Sequence, residues 1–198
     1  MTVARAGESA DRAASSRSAS VSRGYAWLLV AGGLIGLAAS GVLLHERLLL
    51  LEDPLYAPSC SLNSTLNCTA VMTSPQSEAF GLPNPMIGVA AFPVLIATGA
   101  AVLAGARLAR WYWWGLMAGT TFGVGFVHWL IVASLYDIGS LCPYCMVVWV
   151  VTIPAFWYTL LHVISGTAPG RLLNRWHATI LAAWLAVIAV LILLRFGA

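Results

Sequence analysis

The chain has 198 residues, 60% of them hydrophobic and 9% charged, with a formal net charge of +3. A soluble domain of this length could not cover its surface with polar groups on that composition, so the folded chain belongs in a bilayer. In chain order, residues 1–24 form a tail of Ser, Ala and Arg with almost no large apolar residues, which is expected to be disordered. Apolar runs follow at 25–44, 86–106, 111–136, 143–164 and 177–196. Each is about 20 residues or more, and at about 1.5 Å per residue each can cross a hydrocarbon core of roughly 30 Å. The runs are continuous and do not alternate, so they predict five spanning helices rather than barrel strands. The first run follows a basic tail and contains Ala38, Ala39 and Ser40, like a secretion signal, but it is long and no small-x-small site closes it. It reads as an uncleaved helix.

Every basic residue is Arg. Arg5, Arg12, Arg17 and Arg23 precede the first helix, Arg107 and Arg110 fill the second connection, and Arg171 and Arg175 fill the fourth. Only Arg47 and Arg195 fall on the other side, together with Glu46, Glu52, Asp53, Glu78 and Asp137. The positive-inside rule then puts the amino terminus in the cytoplasm and the carboxyl terminus outside, in a multi-pass inner or cell membrane. Tyr25, Trp27 and the Trp111-Tyr112-Trp113-Trp114 cluster mark the cytoplasmic interface as an aromatic belt. The loop 45–85 and the turn 137–142 lie together on the non-cytoplasmic face.

That topology brings all four cysteines to one oxidising compartment: Cys60 and Cys68 in the loop, Cys142 and Cys145 at the mouth of the fourth run. Cys142-Pro143-Tyr144-Cys145 starts a helix, with Pro143 suited to the first helical position. A thiol at a helix amino terminus is stabilised as thiolate, and a second Cys three residues on returns to nearly the same face, so the two can close a readily exchanged disulfide. A tetrahedral metal site drawing on Cys60 and Cys68, or a static bridge, are the alternatives. The small polar segment between Cys60 and Cys68 suits a disulfide that swings between partners. Two pairs on one face can pass two electrons through a mixed disulfide, and Cys145, beside Val147, Val148 and Trp149, points to a lipid-soluble oxidant such as a quinone. No Gly-rich nucleotide fingerprint follows a strand.

Cys60 and Cys68, Phe80-Gly81, Asn84-Pro85-Met86-Ile87-Gly88, Leu135-Tyr136-Asp137 and Cys142-Pro143-Tyr144-Cys145, in that order, resemble the vitamin K epoxide reductase family over about 25–165. The resemblance implies an all-α integral membrane protein, a four-helix bundle around a quinone capped by the loop, with 166–198 supplying a cytoplasmic connection and a fifth spanning helix. It implies a quinone-dependent thiol-disulfide oxidoreductase supporting disulfide-bond formation. In it Cys60 meets the outside partner, Cys68 reduces the Cys142–Cys145 disulfide, Cys142 exchanges with the loop, and Cys145 attacks the quinone. Asn84 is implied as the donor to a quinone carbonyl, a sensible role for a neutral amide.

Trp149 stands where animal members carry a tyrosine that helps bind the head group, which keeps a ring but moves the polar handle. Many bacterial members continue into a fused thioredoxin-like domain, whereas this chain stops at Ala198, so a separate thioredoxin-like (DsbA-like) thiol protein on the non-cytoplasmic side is the expected partner. The expected acceptor is menaquinone, vitamin K or ubiquinone; no metal and no nucleic acid are expected. A disulfide oxidase of the DsbB type carries its two cysteine pairs in the reverse order, and a metal-binding membrane protein would use the four thiols as ligands. Among the remaining features, His128 reads as a bond to a neighbouring helix, and Gly32, Gly36, Gly115, Gly119 and Gly123 read as sites of close helix approach. Pro93 and Pro154 read as kinks that shape the cavity, and His45, His162 and His177 as solvated groups near the interfaces.

Overall fold

The structure is a computed structural model that describes residues 21–197, so most of the expected disordered tail, residues 1–20, lies outside the described residues. Helix α1, Arg23–Glu52, starts on Ser22, whose hydroxyl accepts from the Tyr25 amide at 3.2 Å. It runs eight residues beyond the apolar segment expected to end at 44, because His45 to Glu52 is a run of good helix formers. Leu43, Glu46 and Leu50 share one buried face there. The loop that carries the first cysteines therefore begins at 53 rather than 45.

Within that loop, α2 (Cys68–Met72) is a single short helix and Pro75–Glu78 a 3₁₀ turn. Helix α3 (Pro85–Leu103) returns through the membrane and reverses where Gly105 takes φ +89°, a left-handed conformation that glycine adopts without strain. Helix α4 (Arg110–Val132) continues as one π-helical turn, Ala133–Ile138, and stops on Gly139 at φ +68°. Helices α5 (Pro143–Val163), α6 (Ala168–Arg175) and α7 (His177–Phe196) complete the described chain. Five of these helices, α1, α3, α4 with its π turn, α5 and α7, are long and apolar enough to span a membrane.

Helix α1 packs on α3 and α5, and α5 packs on α4. The α1–α3 seam closes at glycines: a Cβ on Gly36 would strike the Phe92 ring, and one on Gly99 would meet the Ala26 carbonyl and Val30. Gly36 thus serves the close approach expected of it. Gly115 and Gly119 do not, since a Cβ on either would meet nothing. They face open space because α3 and α4, although consecutive, share little direct packing and leave a cavity between them.

The end of the bundle opposite the cysteines is closed by Tyr25, Trp113 and His162, with the Tyr25 hydroxyl bonded to Thr159 at 2.7 Å. Two expectations change here. Trp111 and Trp114 are exposed as an interfacial belt requires, but Trp113 turns inward and is buried in the core. His162 is not a solvated interfacial group; its ring lies 4.2 Å from that of Trp113, centroid to centroid. Helix periodicity explains the first: Trp111 and Trp114, three apart, share the exposed face, and Trp113 points to the other side.

Helix α7 has no buried residue and lies on the outside of α4 and α5, its Ile188, Ile192 and Phe196 resting against Val127, Ile131 and Leu135. Trp184 Nε1–H donates to His128 Nε2 at 2.9 Å, which leaves the His128 proton on Nδ1 to donate to the Val124 carbonyl at 2.7 Å. His128 is therefore the interhelical bond expected of it.

Candidate functional site: two thiol pairs above an apolar cavity

The site is assembled at the loop end of the bundle. Cys60 and Cys68 are joined by a disulfide with Cα atoms 5.6 Å apart, while Cys142 and Cys145 are free thiols. Cys68 Sγ lies 3.3 Å from Cys142 Sγ, and both residues are buried. Three sulfurs, those of Cys60, Cys68 and Cys142, fall within 4.8 Å of one another. With two of them joined, the close approach of the third sulfur suits thiol–disulfide exchange.

Local sequence chemistry fixes each member. Asn67 caps α2 by accepting from the Ala70 amide at 3.1 Å, which places Cys68 at the first helical position. Leu66 and Leu141 form a parallel bridge, with Asn67 N–H donating to the Leu141 carbonyl at 3.0 Å and Leu141 N–H to the Thr65 carbonyl at 2.7 Å. This stitch carries Cys68 directly to Cys142. Cys142 is the N-cap of α5, its sulfur accepting from the Cys145 amide at 3.5 Å, and Pro143 occupies N1 as the motif predicts. Hydrogen bonding from the Cys145 side chain holds the Cys142 thiol below its ordinary value; the Cys145 and Tyr144 amides add to this, and burial opposes it.

Below the thiols a cavity of about 460 Å³ runs between the four helices α1, α3, α4 and α5. Its walls are largely apolar, and Cys145, Trp149 and Asn84 line it whereas Cys142 does not. Gly115, Gly119 and Gly123 form part of its floor along α4. The two cysteines of the motif thus face different neighbours: Cys142 the loop disulfide, Cys145 the cavity.

Asn84 stands at the N-cap of α3 without a side-chain cap bond, and its amide is largely committed to the loop: Nδ2–H donates to the Gln76 carbonyl at 2.7 Å and Oδ1 accepts from the Ala79 amide at 3.1 Å. One N–H of the amide remains for a group in the cavity. In this structure the loop disulfide is held in, with Cys60 5% exposed and Cys68 fully buried. Glu46 is the cause on the Cys60 side, accepting from Tyr56 Oη at 2.9 Å, Ser59 Oγ at 2.6 Å and Ser59 N–H at 3.4 Å. In the sequence Glu46 counted only as an outside acid. The Asn67-Cys68-Thr69-Ala70 stretch carries a readable N-cap signal, but nothing local announces that Leu66 pairs with Leu141.

No curated protein matches the chain significantly. A sequence model described as the vitamin K epoxide reductase family matches residues 27–160, which span α1 through nearly all of α5 and hold both thiol pairs, Asn84 and the cavity. The chain belongs to the vitamin K epoxide reductase family.

Proposed function

We propose that this membrane oxidoreductase takes two electrons from a thioredoxin-like thiol protein on the non-cytoplasmic side and delivers them to a quinone through Cys60/Cys68 and then Cys142/Cys145. The observation that carries the reading is the order of contacts: Cys68 Sγ is 3.3 Å from Cys142 Sγ, and Cys145, not Cys142, opens on the cavity. The arginine asymmetry supports the sidedness, with Arg23, Arg107, Arg110, Arg171 and Arg175 at the end away from the thiols.

Each transfer balances. A partner thiolate attacks Sγ of Cys60, the Cys60–Cys68 bond breaks, and Cys68 leaves as thiolate; the partner's second thiol then resolves the mixed disulfide and departs oxidised. Cys68 next attacks Sγ of Cys142 in a Cys142–Cys145 disulfide, releasing Cys145 as thiolate. Closure of Cys60 onto Cys68 frees Cys142, and two electrons now sit on the helix pair, which is the thiol state of this structure. The quinone, when bound, supplies a two-electron, two-proton acceptor. A cavity of this volume and apolar character suits such a ring. Asn84 offers its spare N–H to a ring carbonyl, Trp149 a flat face, and the apolar walls exclude water while Cys142 and Cys145 close to a disulfide.

The test is turnover of purified protein with a reduced thioredoxin-like donor and a menaquinone analogue, followed by ring absorbance. Turnover that disappears with Cys145→Ala is expected; undiminished turnover in that variant would sink the mechanism. Repeating it with ubiquinone and menaquinone analogues identifies the preferred ring.

A further inference from the structure

The loop disulfide is shielded in a lopsided way. On the Cys68 side it is held by backbone: the Leu66–Leu141 bridge, the Asn67 cap and the grip of Asn84 on residues 76–79. The Arg47–Glu78 ion pair at 2.7 Å adds a tether from α1 to the same side. On the Cys60 side, the polar bonds of residues 53–59 to α1 converge on one carboxylate, beside the packing of Tyr56 and Cys60 in the cluster that holds Leu43 and Leu50 of α1. Glu46 is 6% exposed and receives all three of its bonds from Tyr56 and Ser59, and Ser59 is the residue before Cys60.

A thiol from outside must approach Sγ of Cys60 along the disulfide axis, and a sulfur in a residue 5% exposed allows no such approach. The segment 53–60 has to lift for exchange, while Ser61, bonded to Thr69, and the Cys68 side must stay to keep the 3.3 Å contact with Cys142. From this asymmetry we infer that Glu46 is the latch of the cap: its bonds to Tyr56 and Ser59 hold Cys60 shut, and their release opens the disulfide to an incoming thiol without disturbing Cys68. Glu46 is a positioning residue that acts through Ser59 on Cys60. The inference rests on the reading above only in taking Cys60 as the entry point.

The test uses the full chain in lipid nanodiscs with no quinone and no protein partner, so it is independent of turnover. Dithiothreitol is the probe. Its thiolate attacks Sγ of Cys60, Cys68 leaves as thiolate and is protonated by water, and the second thiol of the reagent closes to a cyclic disulfide, releasing Cys60. The rate is read by acid quench, alkylation and peptide mass. Glu46→Gln is expected to speed reduction of the loop pair about tenfold, the factor that ~1.4 kcal/mol of lost latch represents. Ser59→Ala and Tyr56→Phe, which each remove part of the latch, should speed it about threefold, on the scale of single hydrogen bonds. Hydrogen exchange should rise over 53–60 and stay unchanged over 64–68. Wild-type reduction rates in the Ser59 and Tyr56 variants would overturn the latch, as would faster exchange spread equally over both sides, which marks general loosening. Neither result bears on whether the enzyme reduces quinone.

Discussion

The two thiol pairs are built from opposite materials. The loop pair packs with Leu43, Leu50 and Met72 but is held there by a polar net of short-range caps and backbone bonds at residues 53–84, whereas the helix pair sits at the end of α5 with one member against the loop pair and the other against an apolar cavity. The polar net costs little to solvate and can open to water; the apolar side cannot, since an unpaired polar group there carries a desolvation penalty. The difference teaches where direction comes from. On the proposed path, electrons that enter as thiolates from water are handed across one 3.3 Å sulfur contact into a water-poor space suited to a lipid-soluble acceptor.

The contrast breaks most completely at Cys145. Cys145→Ala should lower quinone reduction by more than about a thousandfold, as loss of an essential nucleophile does, while Cys142 still reaches the loop and accumulates as a Cys68–Cys142 mixed disulfide visible by peptide mass. Cys142→Ser should be as inactive in turnover, but with the electrons stranded on the loop, so that Cys60 and Cys68 stay alkylatable in the presence of quinone. A loop pair that reoxidises rapidly in this variant would mean that it reaches the ring directly.

The cavity side breaks more gently. Gly119→Leu places a side chain where a Cβ now meets nothing, so the fold should hold while KM for quinone rises about tenfold or more. Dithiothreitol reduction of the loop pair should be unchanged in it. The pH profile sharpens the comparison further. Because hydrogen bonding from Cys145 keeps the Cys142 thiol below its ordinary value, wild-type Cys142 becomes reactive at lower pH than a free thiol. Removing that donor in Cys145→Ala should move the midpoint of Cys142 alkylation to higher pH, and an unmoved midpoint would contradict the assigned donor. The smallest effect belongs to α7: Trp184→Phe loses its bond to His128 and should cost about 0.6 kcal/mol, with turnover within about twofold.

Much of this was legible in the sequence because bilayer physics writes in long runs. Five apolar segments give five helices, and the Cys142-Pro143 pair announces a helix start with the thiol as cap. The end of α1 was not, because hydropathy fades at His45 while helix propensity continues to Glu52. Glycine spacing was ambiguous for a related reason: Gly36 and Gly119 look alike along the chain, and only the partner helix decides whether each closes a seam or lines a void. The resemblance implied that the loop caps the bundle, but the way it docks was invisible, since the Leu66–Leu141 bridge and the Glu46 clasp join residues whose pairing no local pattern encodes.

Sequential transfer is tested most directly in a single oxidation. Fully reduced protein is mixed with excess menaquinone analogue, quenched in acid at successive times and mapped for free thiols at each of the four cysteines. The relay requires Cys142 and Cys145 to lose their thiols first, with Cys60 and Cys68 following only when Cys142 is present. Loss of Cys60 and Cys68 at the same early rate, or their unchanged loss in Cys142→Ser, would contradict it.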